Sequence, residues 1–265
     1  MTLRVYTWYM ISTVHSIKTV EKQYPTGEDP ILVLCSDKKE YVCKYARTSG
    51  AAYKLACEMI GSILAQTWRL ITPATAFVAI DPFHWSKAGP DGTLAYGSQR
   101  MESVIDINPT TIESLRPSGK ILSGLLQIAL FDFWVANEDR NANNANLMYD
   151  LKQEVLISID YGCIFNTATY NYPLSQLTLT DTILTSDLFH SLFKGQRIDY
   201  SGMENYYNQC VNRCKQTMSE ILNLLPPQWK VPRELVEKKV LQLNDPMWKN
   251  DTWENFIECL NDNIQ

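Results

Sequence analysis

The stretch Asn137-Glu138-Asp139-Arg140-Asn141-Ala142-Asn143-Asn144, running into Ala145-Asn146-Leu147-Met148-Tyr149, decides how the rest of the chain is read. Before it lies an apolar run with helical character, Ile121 to Ala136. After it comes a second strand-like run, Val155-Leu156-Ile157-Ser158-Ile159-Asp160-Tyr161-Gly162. Carboxylates and amides are thus held between a long helix and two short strands, a rigidly supported loop of the kind on which chemistry is placed. The bland alternative is turn chemistry, because Asn bonds nearby backbone and tolerates unusual dihedrals.

The order of the polar groups adds content. Asp139 is followed five positions later by Asn144, and Asp160 enters from the neighbouring strand. That set suits phosphoryl transfer. Asp139 can orient an attacking hydroxyl and accept its proton, while the Asn144 oxygen and the Asp160 carboxylate are hard ligands for Mg²⁺. Asp160-Tyr161-Gly162 resembles the metal-binding Asp-Phe-Gly motif of kinases.

Working outward, Phe131-Asp132-Phe133-Trp134-Val135-Ala136-Asn137-Glu138-Asp139-Arg140 with Asn144 resembles the catalytic segment of HipA-like kinases. These enzymes have a protein-kinase-like fold, are known from bacterial toxin–antitoxin systems, and are more distantly related to phosphoinositide kinases. The family often carries His two positions after the catalytic Asp; here that position is Asn141. The resemblance implies an α+β, two-lobed protein-kinase-like fold, with a small antiparallel-sheet N-lobe and a mostly helical C-lobe. It also implies ATP and Mg²⁺ as cofactors, a protein Ser/Thr hydroxyl as acceptor, and an antitoxin-like partner.

The N-terminal part fits this expectation. Pro25-Thr26-Gly27-Glu28-Asp29-Pro30 is a turn signal, and Ile31–Cys35 and Glu40–Tyr45 read as a hairpin. A strand is also expected near Ser16–Tyr24. Lys44 sits in the second hairpin strand. A Lys there either reaches nucleotide phosphates or is a charge that protects a sheet edge. From Ala51 to Trp68 apolar residues recur at helical spacing, and Glu58 is the one carboxylate among them, either solvated or meeting a cation. A Thr-Pro pair (Thr72-Pro73) and a strand (Ala74–Ile80) follow. Strand with Lys, helix with Glu, Thr-Pro, strand is similar to the N-lobe of HipA-like kinases, which implies a Lys44–Glu58 pair bracing the phosphates. No Gly-x-Gly-x-x-Gly exists, so Gly27 is the candidate for a phosphate-covering turn that also carries two acids.

Residues 1–95 are therefore read as the N-lobe, including helix 51–68. Residues 96–265 are read as the C-lobe, with catalytic loop 137–144 and the metal-binding Asp-Tyr-Gly at 160–162. Residues 81–100 read as loop-rich, and Ala95–Arg100 resembles the family segment leading to the lobe connection. In the C-lobe a short helix is expected near Thr110–Leu115 and a buried one at Ile121–Ala136. Residues 163–181 form the activation segment by position. Four helices are expected at 182–194, 203–225, 232–243 and 247–262, punctuated by Gly195, Pro226-Pro227 and Asp245-Pro246.

Composition narrows the classes. In 265 residues, 45% hydrophobic and 20% charged content is that of a globular protein. A net charge of −5 does not favour non-specific polyanion binding, so nucleic acid is not an expected partner. No apolar run has membrane-spanning length and the start lacks a signal-peptide pattern, which leads to a cytoplasmic expectation. Seven Cys, mostly among apolar neighbours, read as buried thiols; Cys210 and Cys214 lack the further ligands that zinc needs. Other readings are a kinase or nucleotidyl transferase acting on a lipid or small molecule, and an inactive nucleotide-binding interaction module.

Overall fold

A computed structural model of the chain describes residues 11–20, 22–24, 28–113 and 115–264. The described residues fall into two compact units. Unit 1 comprises Met1–Tyr45 with Ala74–Arg100, and unit 2 comprises Ala46–Pro73 with Met101–Gln265.

Unit 1 is a six-stranded sheet. Its strands are β1 (Thr13–His15), β2 (Lys22–Gln23), β3 (Ile31–Leu34), β4 (Glu40–Lys44), β5 (Thr75–Ile80) and β6 (Thr93–Gln99), in the order β1-β5-β6-β4-β3-β2. The β3–β4 hairpin is the one expected, closed at Asp37, whose Oδ1 accepts from Lys39 N at 3.1 Å, and at Lys38 with φ 65°. Ile31, Val33, Tyr41, Cys43, Ala76, Val78 and Ala95 form the core. β4 is an interior strand, paired with β3 on one side and β6 on the other. The edge-protection reading of Lys44 therefore fails, because the strand has no open edge to protect.

β6 is the main departure from the expectation of a loop-rich 81–100. Tyr96-Gly97-Ser98-Gln99 lacks β-branched residues and reads as a turn, yet it pairs with both β4 and β5. Gly97 marks a close approach there. A Cβ at this position would lie 2.8 Å from Val78 Cγ2 and 3.0 Å from Tyr41 Cβ, so only glycine fits between the neighbouring strands.

Unit 2 is mostly helical. α1 (Ser49–Thr67) starts at Thr48, whose Oγ1 accepts from Ala51 N at 3.2 Å. Leu55, Ala56, Met59, Ile60, Ile63 and Leu64 are all buried. The sequence places this helix in the N-lobe; its described packing is against unit 2 elements. After α2 (Pro109–Ile112), α3 (Gly119–Val135) runs from the Ser118 cap to a left-handed Ala136. As its all-round apolar character requires, α3 is buried on almost every face from Leu125 onward. Trp68 packs on Phe131 and Trp134, each with ring centroids 5.2 Å away.

A small antiparallel sheet, β7 (Val104–Asp106), β8 (Leu147–Asp150) and β9 (Val155–Ser158), flanks α3. Then come α4 (Ile164–Ala168), α5 (Asp187–Phe193), α6 (Tyr200–Leu224), α7 (Arg233–Leu243) and α8 (Pro246–Asn263). The last three match the expected helices within a few residues at each end, while α5 covers only the second half of the expected 182–194, after a separate 3-10 turn at Ile183–Thr185. All seven Cys are buried outside any disulfide. Among the described residues no helix is long and apolar enough to cross a membrane.

Candidate active site

The loop between α3 and β8 is organised by one buried cation. Arg140, with none of its surface exposed, places Nε 2.7 Å from Asp132 Oδ2 on α3. Its remaining donors reach the carbonyls of Ala145 (3.1 Å), Asn146 and Ile159 (3.2 Å). One guanidinium thus ties the helix, the end of the loop and the residue before Asp160. Asn137 Nδ2 donates to the other Asp132 oxygen at 2.8 Å. Burial pushes the Asp132 carboxyl up to about 6, opposed by the Arg140 charge and by hydrogen bonds from Asn137 and Arg140. At neutral pH it is therefore ionised and paired.

Asp139 is half-buried on this frame. Its Oδ2 accepts from Asn146 Nδ2 at 3.1 Å, and its own carbonyl accepts from the same nitrogen at 3.3 Å. The side chain that meets Asp139 is therefore Asn146. Asn144 lies exposed at the far end of the loop, where its backbone exchanges hydrogen bonds with that of Asn141 at 3.0 and 3.2 Å. That bridge makes Ala142 and Asn143 an extra tight turn, lengthening the path from Asp139 to β8. Asn146 directly precedes the apolar strand Leu147–Asp150, whose start closes the loop.

Asp160 stands next to this pair. Ile159 N donates to Asn146 O at 3.1 Å, continuing the β8–β9 ladder, so Asp160 is the first residue beyond it. Its φ of 61° is left-handed, and its Oδ1 accepts from Gly162 N at 3.3 Å. A non-glycine residue in that region costs of order 1–3 kcal/mol and persists where its surroundings over-determine it. Tyr161 supplies such surroundings. It is almost fully buried, burial pushes its phenol up to about 12, and its backbone N donates to Glu58 Oε2 at 3.0 Å.

Glu58, 4% exposed in the middle of α1, is thus not a solvated-face residue. It holds the Asp-Tyr-Gly segment. One turn along, Gly61 makes room for the tyrosine, since a Cβ there would lie 2.4 Å from Tyr161 Cβ. In unit 1, Lys44 Nζ lies 2.9 Å from Glu28 Oε2, an acid of the turn expected to cover phosphates. Gly27 lies outside the described residues. Each member of the expected Lys44–Glu58 pair has a partner inside its own unit.

The donor set fits Mg²⁺. The Asp160 carboxylate and the Asn146 carbonyl, whose amide nitrogen is turned to Asp139, are hard oxygens without thiolate or imidazole among them. Among the described residues there is no cluster of three or more His, Cys, Asp or Glu able to hold a metal by itself. Mg²⁺ characteristically takes one or two protein oxygens and completes its shell with phosphate and water.

Comparison with known proteins gives a family and a fold. The family model described as HipA-like kinase matches residues 17–249. No curated protein sequence matches. Among solved structures, the chain is similar to the crystal structure of a Helicobacter pylori proinflammatory kinase, CtkA. The TM-score is 0.54 at 13% identity, covering 93% of this chain and 99% of that one. The open conformation of CtTel1 also aligns, at a TM-score of 0.33 and 10% identity over 93% of this chain and 11% of that one. With a sheet-rich N-terminal region, a helical C-terminal region and a family match over most of its length, the chain belongs to the HipA-like kinases.

Proposed function

We propose that this kinase transfers the γ-phosphoryl group of ATP, with Mg²⁺, to a serine or threonine hydroxyl of a protein substrate. The observation that carries this reading is the Asn146 carboxamide seated on Asp139, one residue along the ladder from a left-handed Asp160. Asp139 orients the acceptor hydroxyl and takes its proton at a carboxylate oxygen, the role of the base in kinase loops. Asn146 fixes the direction of that carboxylate. Asn146 Oδ1 and Asp160 would hold the metal, which would supply charge neutralisation to the transferring phosphoryl group. Asn144 is the alternative to Asn146 suggested by the five-residue spacing. Lys44, which pairs with Glu28, is assigned to the nucleotide phosphates. Glu58 serves the site by fixing the Tyr161 amide, and with it Asp160. Chemistry of this kind is chiefly positioning and charge neutralisation.

Intact mass of the protein after incubation with Mg-ATP tests the reading. The wild type gains phosphate; Asp139→Asn loses about 10²–10⁴-fold in rate, and Asp160→Ala gains none. Asn146→Ala falls by about 10–100-fold while Asn144→Ala stays within a few-fold. The reverse ranking would return the ligand role to Asn144. A gain of AMP would replace the reading by nucleotidyl transfer. Absence of any gain, together with no thermal stabilisation by Mg-ATP, would overturn it.

A further inference from the structure

The segment after Gly162 does something unusual for L-residues. In α4, Phe165, Asn166 and Thr167 have φ of 60°, 51° and 56°, and Ala168 follows with φ 59°. Left-handed conformations normally occur singly and at glycine or asparagine; a β-branched residue there is an outlier. Such a run persists only if something outside it holds it.

What holds it is the residue beside the catalytic aspartate. Glu138 Oε1 accepts from Asn166 Nδ2 at 2.9 Å, and Glu138 Oε2 accepts from Thr167 Oγ1 at 2.6 Å. Asn166 N also donates to Ala136 O at 2.9 Å. The Asn166 amide continues the connection, reading both backbone groups of Ser175: Nδ2 to its carbonyl at 3.1 Å and Oδ1 from its N–H at 2.9 Å. The buried Phe165 ring anchors the turn from below, 5.8 Å from Tyr170.

We propose that Glu138 is a positioning residue. By clasping this left-handed turn it orders the segment after Gly162 and fixes the adjacent Asp139, with no phosphate required. The proposal rests on the kinase reading of Asp139. Its logic is opposite in sign to segments ordered by a phosphate bound to arginine. Here the clasp is an acid meeting a neutral hydroxyl, and Thr167 is exposed. A negative charge on Thr167 would face the Glu138 carboxylate and open the clasp.

The experiment compares full-length Glu138→Ala, Glu138→Gln and Thr167→Glu with wild type. It reads hydrogen exchange of residues 163–170 and steady-state ATP turnover. Glu138→Ala and Thr167→Glu are expected to speed exchange in that segment and to lower kcat by about 10–100-fold, with KM for ATP within a few-fold. Glu138→Gln keeps an acceptor for Asn166 and a polar partner for Thr167, and is expected to recover most of both. Wild-type kcat in Glu138→Ala overturns the proposal, as does a fall in kcat with unchanged exchange in 163–170. Equal loss in Glu138→Gln and Glu138→Ala overturns the clasp geometry. If wild type itself turns over no ATP, the kinase reading fails and the catalytic role falls with it. The exchange comparison then decides separately whether the clasp exists.

Discussion

Arg140 and Asp132 show what single residues contribute. The pair is fully buried, so each needs the other more than the fold needs the pair. Arg140→Met leaves a buried carboxylate without its cation and is expected to cost about 3–5 kcal/mol in urea unfolding at neutral pH. That deficit should shrink at pH 5, where Asp132 is protonated. The sign of the pH effect follows from a folded carboxyl that titrates near 6 rather than 3.8. Folded Asp132 binds its proton more tightly than the unfolded chain does. Its contribution is therefore full below about pH 4, falls as pH rises to about 6, and is flat above. Asp132→Asn removes that falling limb. Unfolding free energy of wild type relative to Asp132→Asn, followed from pH 4 to 7, checks it, and a difference that rises with pH would contradict the assignment. Asp139 and Asp160 were legible in the sequence as chemical groups in a plausible order. The contact of Asn146 with Asp139 and the exposed place of Asn144 were not, because they follow from a backbone bridge at Asn141–Asn144 that no residue type announces.

At the scale of elements, α1 and the Asp-Tyr-Gly segment behave as one piece. Glu58, Gly61 and Cys57 all serve it: an acceptor for Tyr161 N, a gap for the Tyr161 ring, and a thiol 3.6 Å from Ile164 O. Gly61→Ala forces a methyl against Tyr161, so a destabilisation of about 1–3 kcal/mol is expected. A loss of turnover at temperatures where the variant stays folded should accompany it, since Asp160 is the next residue. Thermal melts beside rate measurements separate the two effects; a folded variant with unchanged rate would show that the contact is only structural. The helices were readable because their apolar spacing and Pro or Gly stops are strong local signals. β6 was not, because its strand character comes from being covered on both sides, and Gly97, which permits that cover, reads as a turn in isolation.

At the scale of the molecule, the family match ends at residue 249, inside α8, but the core does not. Trp248 Nε1 donates to Trp134 O at 3.0 Å, Trp134 Nε1 donates to Leu243 O at 3.2 Å, and the Phe256 ring meets Phe133 at 5.3 Å. A chain ending at Asp245 strips that cover from α3. Loss of a cooperative thermal transition is expected, and near-ultraviolet circular dichroism would show it as loss of the aromatic signal. The division of the chain has a practical meaning as well. Unit 1 is assembled from two separated pieces of sequence, and the stretch between them carries α1 into unit 2. A fragment cut near residue 95 would take along a helix whose described neighbours stay behind. The N-terminal sheet is therefore no interchangeable cassette: moving it alone means cutting the chain on both sides of the Glu58-bearing helix and rejoining the ends.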